Sequence, residues 1–320
     1  MRSVPARLLL FALLAACTAP DNRAILDDLE EQSRDESKPA LLAQIVDPQA
    51  YFIRGPARTI LLPMEKATVP VVRVRINGVE MPGILDTGTT HIVLSGPAAR
   101  ACKLYMPESM PMEIVTPGYA TRFFTGAPES VEIGGMKLEG GIALVPEKES
   151  GLARRLGVPN AVHATIGTAV LSNYNVVFDF QRRLVELQPH GKKAFAGVMW
   201  TRVRVNDKER LLLIDSGANG LFLEPDFAHE LGLVSQERAN QLRGKARSAS
   251  EARMERVRVD ELGFGPRVFR NVRAHVVSIM GDPERGGLLG LPGLGPHRWL
   301  VHYETRQFAL VEPDGTTPEG

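Results

Sequence analysis

The sequence is poor in cysteine and has no excess of charge of either sign. Only Cys17 and Cys102 occur among its 320 residues, and no Cys/His cluster has the spacing of metal ligands, so we predict neither a metal nor a cofactor. Lys plus Arg (38) nearly equals Asp plus Glu (37), which argues against a nucleic-acid partner. With 44% hydrophobic residues, the chain is not broadly disordered. A globular protein with a self-sufficient core is therefore expected.

The N-terminus is typical of an exported protein. Arg2 and Arg7 precede the apolar run Leu8 to Ala16, which is too short to span a bilayer but fits the core of a signal peptide. The run leads into Leu14-Ala15-Ala16-Cys17, which resembles the lipobox of bacterial lipoproteins. That resemblance implies cleavage before Cys17 and lipidation of its sulfur, which would anchor the chain in the cell envelope. Thr18 favours the periplasmic face of the outer membrane, and an ordinary secretory peptide is the alternative.

Residues 17–60 are polar and acidic, with a modest helical pattern around Ala24 to Ile45. We interpret them as a partly helical tether. Two functions are open for this segment, a solvated spacer or a pro-segment.

An internal repeat follows the tether. Arg73-Val74-Arg75-Ile76-Asn77 returns as Arg202-Val203-Arg204-Val205-Asn206, and the same offset of 129 residues relates Asp86 to Asp215. Thr165-Ile166-Gly167 later pairs with Leu288-Leu289-Gly290. The repeat predicts two lobes of one fold, over residues 61–192 and 193–320.

Each half consists of short runs of Val, Ile and Leu separated by Gly, Pro and Asn turns, a pattern that predicts an all-β fold. Only two stretches look helical, Pro97 to Lys103 and Glu224 to Leu233.

Two in-register copies of apolar-Asp-(Thr/Ser)-Gly, each with a downstream Ile/Leu-Gly, resemble the pepsin-like and retropepsin-like aspartic peptidases. The resemblance covers about residues 65–312. It implies a two-lobed fold with a cleft between retropepsin-like halves, and a catalytic pair of Asp86 and Asp215. Two close carboxylates share a proton, so that one acts as base and the other as acid.

The resemblance also assigns supporting residues. Gly88 and Gly217 would let the backbone approach the carboxylates, and the hydroxyls of Thr87 and Ser216 would hydrogen-bond to the opposite loop. Thr89 alone has a hydroxyl beside its own aspartate, because the second half has Ala218 there. We therefore hypothesise that Asp86 carries more of the negative charge.

Two further stretches have open interpretations. The family covers its cleft with a flap, and Pro107 to Gly126 is the candidate, with Tyr119, Phe123 and Phe124 either binding substrate or packing inside the lobe. The matching stretch of the second half, Gln241 to Arg258, is strongly basic and either binds an acidic substrate or partner or is a solvated hairpin.

These observations predict an aspartic endopeptidase that acts on polypeptides of the cell envelope. The alternative is an inactive lipoprotein that keeps the fold as a binding or scaffold protein. Because one chain supplies both aspartates, we expect a monomer.

Overall fold

A computed structural model describes residues 51–54, 58–66, 68–106, 112–116, 119–147, 162–190, 197–243, 254–278 and 285–311. For 51–54, 112–116, 119–121 and 138–140 only the backbone is described. The predicted signal peptide, Cys17 and almost all of the predicted tether lie outside these residues. So does the predicted lobe boundary at 192/193.

The described residues are mostly β-strand, which confirms the predicted fold class. The strands of the first half are β1 (Tyr51–Arg54), β2 (Ile60–Pro63), β3 (Val71–Ile76), β4 (Val79–Leu85), β5 (Ile92–Leu94), β6 (Met112–Thr116), β7 (Tyr119–Gly126), β8 (Val131–Ile133), β9 (Met136–Gly140), β10 (Ala143–Pro146), β11 (Ala164–Ile166), β12 (Tyr174–Asp179) and β13 (Leu184–Pro189). Those of the second half are β14 (Trp200–Val205), β15 (Lys208–Asp215), β16 (Gly220–Leu223), β17 (Glu255–Phe264), β18 (Arg267–Val276), β19 (Arg285–Gly290), β20 (Arg298–His302) and β21 (Gln307–Val311).

The two halves differ in how their main sheets end. In the first half, ten strands form one sheet in the order β1-β9-β8-β3-β4-β11-β5-β10-β7-β6. In the second half, six strands form a closed barrel in the order β14-β15-β19-β16-β18-β17. Closure removes the strand edges of the barrel, whereas the ten-stranded sheet keeps two, β1 and β6.

A third sheet joins the halves, with the strand order β2-β13-β12-β20-β21. Its central pairing is antiparallel, between β12 of the first half and β20 of the second, with Val176 opposite Val301. The main cluster of buried hydrophobic residues contains side chains from both halves and from this sheet, including Phe178, Trp299 and Leu221. The two lobes therefore share one continuous core.

Equivalent asparagines lie in two matching hairpin turns, between β3 and β4 in the first half and between β14 and β15 in the second. Asn77 and Asn206 have φ of 47° and 52°, the left-handed conformation that tight hairpin turns need and that asparagine tolerates. The Oδ1 atom of Asn77 accepts hydrogen bonds from the backbone N–H groups of Glu129 and Ser130, and that of Asn206 accepts one from Glu261. The sequence repeat is thus a structural repeat down to single hydrogen bonds.

Four short α-helices are described where two were predicted. The predicted pair are α1 (Gly96–Ala101) and α3 (Pro225–Glu230), each shorter than expected. The prediction of only two helical stretches was wrong, because α2 (Thr168–Leu171) and α4 (Gln236–Leu242) are also helical. All four residues of α2 are buried, so its sequence shows no amphipathic period. A 3-10 helix, Leu291–Leu294, takes the place of α2 in the second half.

Candidate active site

Two structurally equivalent loops bring Asp86 and Asp215 to the boundary between the lobes. Asp86 directly follows β4, and its backbone N–H donates to the carbonyl of Ile166 at 3.0 Å. Asp215 ends β15 and lies opposite Gly290 in the parallel pairing with β19. Each aspartate therefore emerges from a strand that is paired in parallel with the strand of its downstream Ile/Leu-Gly motif.

The two carboxyl groups are hydrogen-bonded to each other, and a glycine of the opposite loop lies against each of them. A methyl group added to Gly88 would lie 2.7 Å from Cγ of Asp215, and one added to Gly217 would lie 2.8 Å from Cγ of Asp86. Both separations are far shorter than a van der Waals contact. Glycine is thus required at both positions by close approach.

Four hydrogen bonds lock the loops together, and all are buried. The Thr87 hydroxyl donates to the Ile214 carbonyl at 2.9 Å, and the Ser216 hydroxyl donates to the Leu85 carbonyl at 2.7 Å. In return, Ser216 Oγ accepts from the Thr87 N–H at 3.1 Å, and Thr87 Oγ1 accepts from the Ser216 N–H at 3.0 Å. The hydrogen bonds predicted for Thr87 and Ser216 are present and leave no polar atom of either hydroxyl without a partner.

Backbone amides hold each carboxylate from its own loop. Gly88 N–H donates to Asp86 Oδ1 at 2.7 Å. Gly217 and Ala218 N–H donate to Asp215 Oδ1 at 2.7 and 3.0 Å. Sequence reasoning from side chains missed two kinds of backbone contact: the Ala218 N–H that donates to Asp215, and the carbonyls of Leu85 and Ile214 that accept from the hydroxyls of the opposite loop. Leu85 and Ile214 are the apolar residues directly before the aspartates, and this position in the motif could have identified them.

Both carboxyl groups have raised pKa values, with partly different causes. Burial, the negative charge of Asp86 and the hydrogen bond to Asp86 raise the pKa of Asp215 well above its usual range. Burial also raises the pKa of Asp86, but hydrogen bonds from Asp215, from the Thr89 side chain and from backbone N–H groups oppose that rise. Both carboxyl groups therefore hold a proton more readily than a free aspartate does, and they titrate as a pair.

Gly167 and Gly290 support the loops from behind. A methyl group on Gly167 would lie 2.5 Å from the carbonyl oxygens of Thr89 and His91, and one on Gly290 would lie 2.5 Å from that of Ala218. The adjacent Thr168 N–H donates to the Thr89 carbonyl at 2.8 Å. These glycines let a supporting strand contact the backbone just beyond each aspartate.

The aromatic residues of the candidate flap have different environments. Strands β6 and β7 form a hairpin at one edge of the ten-stranded sheet, and Tyr119 begins β7, although its side chain lies outside the described residues. Phe124 packs against the main core. Phe123, its half-buried neighbour, points to the opposite face, because side chains alternate along a strand. Of the three, Phe123 is the described side chain still available to a ligand.

Among the other residues that the structure describes, the candidates for further chemistry are Cys102 and the remaining acidic and histidine side chains. Cys102 is buried, and burial raises the pKa of its thiol, so it is not an activated nucleophile. Within the described ranges there is no group of three or more His, Cys, Asp or Glu side chains placed to hold a metal ion. The helices of the same ranges are all too short or too polar to cross a membrane.

Comparison with known proteins gives one family match in each half. Residues 72–158 match the family described as gag-polyprotein putative aspartyl protease, and residues 201–292 match the family described as aspartyl protease. Among solved structures, the chain is similar to a retropepsin-like aspartic protease from Rickettsia conorii, with 14% identity and a TM-score of 0.29, over 43% of this chain and 91% of that one. A search of curated proteins gave no match. Each of the two family matches contains one Asp-(Thr/Ser)-Gly loop, so both halves of the chain are similar to aspartyl proteases.

Proposed function

We propose that this chain is an aspartic endopeptidase in which Asp86 and Asp215 hydrolyse peptide bonds with a shared water molecule. The observation that carries the proposal is the buried, hydrogen-bonded pair of carboxyl groups on two loops that are bonded to each other. A base and an acid side by side are what peptide hydrolysis requires.

In the proposed reaction the shared proton starts on Asp215, and Asp86 starts as the carboxylate. Asp86, as carboxylate, takes a proton from a water placed between the two side chains while the water oxygen attacks the peptide carbonyl carbon. Asp215 donates its proton to the carbonyl oxygen, which gives a neutral tetrahedral intermediate. The proton held by Asp86 then passes to the leaving nitrogen, the C–N bond breaks, and a hydroxyl proton of the intermediate returns to Asp215. The locked loops keep both groups in place through these transfers.

The test is cleavage of an unbiased peptide mixture by the full chain in detergent, across a pH series. Asp86→Asn and Asp215→Asn are each compared with the wild type. Asp207→Asn, in an exposed turn, is the matched control for loss of one carboxylate. We expect each dyad variant to lose at least about a thousandfold in kcat/KM, and the control to keep full activity. If the wild type cleaves nothing at any pH, the chain is instead a binding protein that keeps the fold.

The proposal includes a location. A lipid on Cys17 would hold the peptidase at the periplasmic face of the outer membrane, where envelope polypeptides are its substrates and one chain suffices for a complete site. Cys17→Ser is expected to move the protein from the membrane fraction to the soluble fraction. Membrane retention of that variant would remove the anchor from the proposal.

A further inference from the structure

The Asp215 side chain lies on one face of the barrel of the second half, and its neighbours along β15 identify that face. Alternate residues of a strand point to the same face, so Leu213 shares the face of Asp215 on β15. Leu212 and Ile214 point the other way and are part of the main core. The Asp215 face is therefore the outer face of the barrel.

A continuous row of side chains crosses this outer face beside Asp215. Residues directly opposite in neighbouring strands point to the same side. The strand pairings place Trp200 opposite Leu213, Leu213 opposite Leu288, Leu288 opposite Phe222, Phe222 opposite His275, and His275 opposite Arg256. Leu213, Phe222 and Leu288 form a buried cluster with Ala218 of the catalytic loop, and the Phe222 ring stacks on His275 at 5.4 Å. The row is therefore packed without a break from the catalytic loop to His275.

The far end of the row is a block of basic residues on β17 and β18, made of Arg256, Arg258, Arg273 and His275. Arg258 lies directly opposite Arg273, as Arg256 does opposite His275. All three arginines are exposed, and His275 is half-buried. Like charges directly opposite in a sheet are destabilising. We therefore expect this basic block to bind a ligand, because it does not stabilise the fold.

Within the described part of this face, little compensates the charge. Asp260 follows Arg258 two residues later and is also exposed. Glu255 forms an ion pair with Arg238. Burial, and then the charge of Arg256, lowers the pKa of His275, and its Nδ1 atom is buried without a hydrogen-bond partner. The block thus combines three positive charges with an unsatisfied polar atom.

The equivalent row of the first half ends differently. It runs through Val71, Ile84, Thr165, Val93, Leu144 and Thr125, all joined by strand pairings, and it shares the face of Asp86. It contains no charged residue. The two halves are therefore alike at the aspartates, but the rows beside them differ in charge, one ending in basic residues and the other being uncharged.

We propose that the basic block binds an acidic segment of the polypeptide substrate and thereby fixes the direction in which the chain lies across the two aspartates. The proposal rests on the proposed peptidase function. Neighbouring strands are about 4.8 Å apart, so His275 and Arg256 lie roughly three and four strand steps, or about 14 to 19 Å along the curved sheet, from Leu213, two residues before Asp215. An extended peptide advances about 3.3 Å per residue, which places the acidic residues about four to six residues from the scissile bond.

The experiment digests a proteome-derived peptide mixture with the full chain and records the residues that flank each cut. The test variant is Arg256→Gln/Arg258→Gln. The matched control is Arg73→Gln/Arg75→Gln, which removes two arginines with the same spacing from β3 of the first half. We expect Asp and Glu to be enriched four to six residues from the cut, on one side only. The enrichment should disappear in the test variant and persist in the control.

A matched peptide pair gives the size of the effect. For a peptide with Glu at the enriched position and its Gln analogue, kcat/KM should differ by about tenfold in the wild type, mainly through KM, and the difference should shrink at high salt. In Arg256→Gln/Arg258→Gln the two peptides should be cleaved equally well. Dyad-dependent cleavage without acidic enrichment, or enrichment that survives in the test variant, would overturn the inference and leave the peptidase intact.

If the wild type cleaves nothing, binding decides the question. A fluorescent eight-residue peptide with three consecutive glutamates should then bind the full chain, and should lose that binding in Arg256→Gln/Arg258→Gln alone. Equal or absent binding in all three proteins would overturn the inference.

Discussion

The two aspartate loops share one backbone design but give their carboxyl groups different environments. In both, a hydroxyl bonds the opposite loop and backbone amides hold the carboxylate. The loops differ at the residue after the glycine, which is Thr89 in one and Ala218 in the other, and Asp215 is the more buried of the two aspartate residues. A duplicated fold thus supplies the symmetric scaffold, and one hydroxyl together with unequal burial distinguishes the two aspartates.

The largest loss of activity is expected from crowding the carboxyl group of the opposite loop. Gly88→Ala and Gly217→Ala would each place a methyl group less than 3 Å from the facing aspartate, so that its carboxyl group must move. We expect each variant to lose about a hundredfold or more in kcat. Gly96→Ala is the control, because a methyl group there meets only Arg100 Nη1 at 3.5 Å. Near-normal activity of either dyad variant would contradict the close packing of the loops.

Removing one cross-loop hydroxyl should have a smaller effect on rate and a measurable effect on stability. Ser216→Ala leaves the Thr87 N–H and the Leu85 carbonyl buried without partners, and Thr87→Val does the same to Ser216 N–H and Ile214 carbonyl. We expect each to lower the free energy of unfolding by about 1 to 3 kcal/mol for each group left without a partner. Chemical denaturation measures this. Because the network is symmetric, a large loss in only one variant would show that the loops are not equivalent.

The hydroxyl that distinguishes the loops should control the pH profile. Thr89→Ala removes a hydrogen bond to the Asp86 carboxylate, which raises the pKa of Asp86, so the acid limb of kcat/KM should move to higher pH by about one unit. Ala218→Ser, the reciprocal change, should lower the pKa of Asp215 and move the alkaline limb to lower pH. The limbs report the pair as a whole. An unmoved acid limb in Thr89→Ala would refute the assignment of Asp86 as the ionised member.

The smallest effect expected is a gain in thermal stability. A carboxyl group whose pKa is raised on folding contributes most to stability below its unfolded pKa, near 3.8, and loses that contribution as the pH rises towards the folded value. Asp215→Asn avoids this loss of about 1.4 kcal/mol per pH unit. We therefore expect its Tm to exceed that of the wild type near neutral pH, by about 2 to 4 °C for each kcal/mol regained, and the difference to vanish in acid. Asp86→Asn should gain less, and calorimetry across pH compares the two.

Much of this structure could be predicted because duplication amplifies weak signals. A single Asp-Ser-Gly commonly marks a turn, but its recurrence at 129 residues beside the paired strands Arg73–Asn77 and Arg202–Asn206 indicated two lobes and the aspartate pair. The helix α2 was missed because a fully buried four-residue helix has no amphipathic period.

The sequence indicated a basic stretch up to Arg258, but the open sheet, the barrel and the strand partners of those basic residues could not be predicted, for a different reason. They depend on which strands pair, and the hydrophobic pattern of a strand does not determine which strand lies next to it in the sheet. Arg258 and Arg273 are fifteen residues apart in the sequence, so only the register of β17 and β18 shows that they face each other.

The sheet that joins the halves determines when this protein can become complete during its synthesis. Strand β12 has its partner in β20, more than a hundred residues further along the chain. Such distant pairing makes folding slow, because a long loop must close before the contact forms. A nascent chain still lacking residues after Arg298 has its first aspartate but has no finished seam between the lobes. Any hydrolytic activity is therefore delayed until the last strands have been made.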